Sequence, residues 1–275
     1  MTLVDGSYIA SEVAYVIENG SILTIDGGYT YFNQGDTWTG DVVLTSGRLE
    51  YDYLTTNGKI TTTGGTLNVN SGTLNVAAES EIATGTTLTL AQNATIALTG
   101  GTITVEQNDT LNGIINATSG TLNVNNRNTS DANFLQRMLS INANDNDKVN
   151  VNLDTVWVDM TDGNTEGTIL TTDFYMGNLT TSHNSHFDID VVLTGSIGDY
   201  GHYNDRFDRI YTGKDASGEV YITRIGIEEP TYYMPRTLKV LERGTNTNIY
   251  LSLDEEMVND WYEFLYNVGL KKGEF

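Results

Sequence analysis

Apolar residues along this chain come in pairs, two positions apart, and the pairs recur about every seven or eight residues. Leu67/Val69, Leu74/Val76, Leu88/Leu90, Ile96/Leu98, Ile103/Val105 and Leu122/Val124 are the clearest, with Ile82 and Leu111 as weaker members. Three of the pairs sit in near-identical copies of Gly-Thr-Leu-Asn-Val, at Gly65–Val69, Gly72–Val76 and Gly120–Val124. Alternation of apolar and small polar residues predicts short strands with one buried face. Such strands cannot bury that face alone, and stacking repeats of one another solves the problem. Three strands per coil predict a coil of roughly 22 residues. The fold expected is therefore all-β, a three-faced parallel β-helix (β-solenoid).

The pattern divides the chain. Residues 1–60 carry irregular, tyrosine-rich strands, such as Tyr15-Val16-Ile17, Ile22–Ile25 and Val42-Val43-Leu44. Asn19-Gly20 and Gly27-Gly28 read as turns between them. This part is expected to form an N-terminal cap and first irregular coils, since a bare solenoid end exposes a strand edge. Residues 61–126 are the regular array, free of Lys and Arg and dominated by Thr, Asn, Gly and Ala. Residues 127–253 continue the solenoid with longer loops. Within them, 130–139 reads as a short lateral helix, with Ser130 as N-cap and Phe134, Leu135, Met138 and Leu139 on one side. Residues 254–275 predict a C-terminal helical tail. Asp254, Glu255 and Glu256 in its first turn and Lys271 and Lys272 past its end suit the helix dipole.

Composition narrows the function classes. A formal net charge of −22 over 275 residues repels phosphate backbones and anionic lipid surfaces, so nucleic acid is not an expected partner. The absence of cysteine excludes disulfides and thiolate zinc sites and suits bacterial secretion. No stretch approaches the roughly 20 apolar residues of a membrane helix, so no membrane insertion is expected. The first residues lack the basic start and apolar run of a signal peptide, so Met1 is expected to lie at a mature or excised boundary.

Two stretches resemble one family. The repeats around Gly64-Gly65-Thr66-Leu67-Asn68-Val69 are similar to the Gly-Thr-Leu repeats in passenger domains of bacterial autotransporters. The segment from Phe207-Asp208-Arg209-Ile210 through Gly213 to Val220-Tyr221-Ile222 resembles the last coils of pertactin-like passengers, and Leu238–Leu241 falls where these have a further strand. The resemblance implies a right-handed β-helix, type V export and a surface role, commonly adhesion. It also implies a structural role for Asp208 and final coils that nucleate folding. The translocator barrel of that family does not follow in this sequence.

Candidate chemistry is sparse. His183, His186, Asp188 and Asp190 form the most metal-like cluster, yet the segment reads as a polar loop entering a strand. His202 with Asp199, Asp205 and Asp208 reads as an exposed acidic loop. Asn142, Asn144, Asp145 and Asp147 place oxygen ligands as calcium loops do, without the central Gly and closing Glu of a full motif. Asp159–Glu166 is a second oxygen-rich turn. Calcium is the one cofactor these offer, against plain turn chemistry. Nucleophile and phosphate-cradling motifs are missing, and the carboxylates of the array, Glu79, Glu81, Glu106 and Asp109, read as solvated.

The function expected is a non-catalytic, secreted or surface-exposed bacterial adhesin or rigid stalk, on the cell surface or outside it. Its partner would be a glycan or protein of a host or neighbouring cell. Contact is expected in the loops between about 140 and 205, with Tyr175, Tyr200 and Tyr203 as anchors. The rivals are a self-associating structural subunit of a filament or surface layer, and a polysaccharide lyase or hydrolase built on a β-helix.

Overall fold

The computed structural model describes residues 1–9, 14–33, 35–52, 58–106, 109–125, 150–161, 173–176, 178–182, 184–192, 206–207, 209–212, 215–228, 241–243 and 246–253. Among them the chain is all-β, and the strands stack in parallel as a β-solenoid. The helices expected at 130–139 and 254–275 lie outside the described residues.

One column of residues shows how the coils stack. Leu3, Ile25 and Leu44 lie in register on successive coils, then Thr62, Ile82, Ile103 and Leu122. Val158, Phe187, Ile222 and Leu253 continue the same column. Steps up to Leu122 range from 18 residues (Leu44 to Thr62) to 22 (Leu3 to Ile25), slightly under the expected coil. Beyond Leu122 they lengthen, as with the 36 residues to Val158, while the strands still pair in register.

Each coil lays strand segments in three rows. Leu49, Leu67 and Leu88 belong to the second row. Leu74, Ile96, Ile115, Val151, Leu179 and Ala216 run through the third. In the C-terminal half a separate parallel stack joins Asp173–Met176, Arg209–Thr212 and Leu241–Arg243. All the inward residues expected in the array are buried, from Leu67 and Val69 to Leu122 and Val124. One departure from parallel pairing is the short Arg206–Phe207 strand, which runs antiparallel to His186–Val192.

One expectation is corrected, and one core residue was not foreseen. Gly27-Gly28 is not a chain-reversing turn; the strand Ile22–Phe32 runs through it. It is a corner, and the coils above and below bend at the same place, so the ladder continues across it. Gly47 shows why glycine is needed there: its φ is +84°, and a Cβ would stand 2.2 Å from the Gly28 carbonyl oxygen of the adjacent coil. Nor is the core column purely apolar. Thr62 is fully buried, meets the Thr86 hydroxyl at 2.7 Å and accepts the Ala83 N–H at 3.0 Å. A buried hydroxyl is tolerated because its partners are built in.

The N-terminal coils are filled differently from the array. Phe32 stacks on Trp38 with ring centroids 4.9 Å apart, and Trp38 meets Tyr51 edge-on at 6.2 Å. Their polar atoms are satisfied, with Trp38 Nε1 donating to the Gly40 carbonyl at 3.0 Å and the Tyr51 hydroxyl donating to that of Thr73 at 2.8 Å. Among the described residues the first strand, Thr2–Val4, pairs with Ile22–Phe32 alone. Met1, Val4, Tyr8 and Val16 are exposed on the first coil, Tyr8 by 71%.

Candidate functional site

The outward side of the second row carries the densest polar cluster among the described residues. Tyr29 and Tyr31 sit on one coil, Arg48, Glu50 and Asp52 on the next. Strand alternation turns all five away from the core, while Thr30, Phe32, Leu49 and Tyr51 between them are buried. The Tyr29 hydroxyl donates to Glu50 Oε2 at 2.9 Å and the Tyr31 hydroxyl to Asp52 Oδ2 at 3.0 Å. Arg48 pairs with Glu50 Oε1 and lies over the Tyr29 ring, 5.8 Å from its centroid. Ser71 donates to Asp52 Oδ1. With its amide turned so that the oxygen faces Arg48, Asn68 accepts from Arg48 Nε and Nη2 at 3.1 Å and donates to Thr89 at 3.2 Å.

Burial, then the bond to Glu50, raises the Tyr29 phenol above its ordinary value. Burial and the bond to Asp52 push Tyr31 up to about 12. Both stay neutral donors at neutral pH. The cluster holds two carboxylates on alternate residues beside a guanidinium, a layout that glycan chemistry can use. Yet each carboxylate is already engaged by neighbouring side chains, so the arrangement works as a cross-coil brace. Sequence reading missed it. The signal was present, since Tyr-x-Tyr precedes Arg-x-Glu-x-Asp by one coil, but it becomes visible only once the coil length is known.

The array carboxylates expected to be solvated divide. Glu81 is exposed, and exposed Glu79 pairs with Lys59 at 3.7 Å. Glu106 accepts the Gly85 N–H at 2.7 Å. Asp109 overturns the expectation: it is only 5% exposed, and its two oxygens accept the N–H groups of Leu88 (2.8 Å) and Glu106 (2.7 Å). Burial nonetheless pushes its carboxyl up to about 6. Buried Asp36 repeats the geometry, accepting from Tyr15 at 3.0 Å and Asn33 at 2.8 Å. In both, one oxygen ties the residue three back and the other ties the coil 21 residues back, which makes them corner staples.

A second outward feature lies on the first row of the C-terminal coils. Thr121, Trp157, His186 and Tyr221 occupy one position on four successive coils. Trp157 is 52% exposed, and its Nε1 donates to Asp188 Oδ2 at 3.1 Å. Asp188 is buried and also accepts the Thr223 hydroxyl at 3.0 Å. His186 is exposed and meets Tyr221 edge-on, with centroids 5.5 Å apart. His186 does open a strand, as its sequence suggests, and Asp188 accepts from Trp157 and Thr223.

Among the described residues no group of three or more His, Asp or Glu side chains gathers as a metal site. Asn142, Asn144, Asp145 and Asp147 lie outside the described residues, as do Tyr200, Tyr203, His183, His202 and Asp208. Tyr175 is placed in the strand Asp173–Met176, with its backbone alone described. No protein-family model, curated protein or solved structure matches the chain.

Proposed function

We propose that this chain is a non-catalytic passenger of the autotransporter type, displayed on or released from a bacterial surface, where it acts as an adhesin or stiff stalk. The coil is then right-handed, the hand that nearly all parallel crossovers adopt. The observation that carries the reading is the in-register column from Leu3 to Leu253. A stack of that kind is a rod whose core is continuous and whose outward faces are free to vary. The repeats and the 207–222 segment, similar to those of passengers, favour the same class. Tyr175, Tyr200 and Tyr203 remain the proposed contact residues. Calcium at Asn142, Asn144, Asp145 and Asp147 remains a proposed accessory.

The test is adhesion of the purified, labelled chain to epithelial and bacterial cells, with calcium and with chelator, alongside negative-stain microscopy. Saturable binding by single short rods supports the reading. Absence of binding to any surface tested sinks it.

The exposed apolar groups of the first coil favour a second reading, a self-assembling extracellular subunit. Met1, Val4, Tyr8 and Val16 are exposed on the first coil, and among the described residues Thr2–Val4 pairs with Ile22–Phe32 alone. Rods that lengthen with concentration in sedimentation and microscopy would select it over the adhesin.

A further inference from the structure

We infer that the outward column Trp157–His186–Tyr221 is a binding strip for a linear, uncharged glycan lying along the solenoid axis, with about one sugar ring per coil. The inference rests on the adhesin reading and gives that reading a ligand class and a place. Successive coils of a parallel stack are about 4.8 Å apart, comparable to the length of one pyranose residue. Trp157 and His186 therefore offer exposed rings at the repeat of a sugar chain, with half-buried Tyr221 set edge-on against His186 at the next step. The polarised C–H faces of a pyranose pack on aromatic rings through the ring quadrupole.

Three observations favour a glycan over other occupants. First, Trp157 is held in place: its indole N–H is anchored on Asp188, which Thr223 fixes in turn. The exposed ring is pre-organised, so little ordering cost remains to be met on binding. Second, the column beside the strip is polar, with half-buried Asn123 and Asp159 in register on successive coils. Hydroxyl-rich ligands need hydrogen-bonding groups of that kind next to the stacking surface. Third, among the residues beyond the first coils whose side chains are described, Trp157 is the one large exposed hydrophobic. A single ring with two smaller neighbours is too little apolar surface for a protein interface core. The net charge of −22 selects among glycans, since it repels uronate and sulfated chains.

The test is isothermal titration of the full chain with cellotetraose, chitotetraose and, as the anionic counterpart, tetragalacturonate. The expected result is saturable binding of at least one neutral tetraose and none of the uronate. Trp157→Ala should weaken binding at least tenfold with an unchanged far-UV spectrum, and Trp157→Phe, which keeps a ring, should weaken it less. His186→Ala provides an independent variant if Trp157→Ala fails to fold. Binding of neither neutral tetraose up to millimolar concentration overturns the inference, as does binding that the Trp157 and His186 substitutions leave unchanged. Cell adhesion separates this from the adhesin reading. Adhesion that Trp157→Ala leaves intact keeps the adhesin and removes the strip. Tetraose binding without any cell adhesion keeps the strip and removes the adhesin. Adhesion lost in Trp157→Ala yet unaffected by excess tetraose points to a protein partner and overturns the glycan.

Discussion

Asp109 shows how one buried carboxyl can set a pH dependence. Burial holds it at about 6 against an ordinary 3.8, although two backbone N–H groups pull the other way. Between those values the folded chain binds more protons than the unfolded one, so its contribution is fully present below pH 3.8 and is lost as pH rises through 6. The gap corresponds to about 3 kcal/mol. Urea unfolding at pH 4 and pH 7 should therefore show a fall that shrinks in Asp109→Asn; an identical fall in both proteins would show that other groups carry it. Glycine offers a cleaner contrast at the same scale. Gly47→Ala places a Cβ against the Gly28 carbonyl in a left-handed conformation and should cost at least about 2 kcal/mol. Gly6→Ala has the same sign of φ but open space around it, and should cost only about 1 kcal/mol. Equal losses would mean that the corner yields.

At the scale of elements, alternation made the strands legible and corners made them hard to bound. Ile22–Ile25 and Val42–Leu44 were expected as strands and are strands, but each extends past a glycine corner into the next row. The usual reading of paired glycines is a reversal. A solenoid bends at glycine instead, because the adjacent coil bends there too and keeps the hydrogen bonds paired. The irregular N-terminal strands likewise turn out to enclose a core of large rings. Phe32, Trp38 and Tyr51 fill coils that Leu and Val fill in the array. Trp38→Ala should cost about 3–5 kcal/mol in denaturant unfolding, since the neighbouring rings cannot close such a void. A loss below about 1 kcal/mol would mean that these coils melt apart from the array.

Across the whole molecule, net charge works against the folded state. A chain carrying −22 repels itself in the folded state, and salt shortens the reach of that repulsion from about 30 Å at 0.01 M to about 8 Å at 0.15 M. Thermal unfolding should shift upward over that range of sodium chloride. A midpoint that falls with salt would mean that favourable ion pairs outweigh the repulsion. Among the described residues the ion pairs are Arg48 with Glu50 and Lys59 with Glu79, both partly or well exposed, and exposed pairs contribute little.

The sequence alone determined which residues face inward, because a strand has a period of two and the pairs Leu67/Val69 to Leu122/Val124 keep it without error. It also determined the acidity and the absence of thiols. Only the tertiary structure decided which residues stand above one another. Register depends on how many residues each corner and loop consumes, and that number varies from 18 between Leu44 and Thr62 to 36 between Leu122 and Val158. Tyr31 therefore meets Asp52 one coil on, and Trp157 shares a column with His186 and Tyr221 although no constant spacing links those three. The same holds for Asp109 and Thr62. Polar residues read as solvated along a sequence, and the burial of these two is tolerated because another coil brings the backbone N–H or hydroxyl that satisfies them.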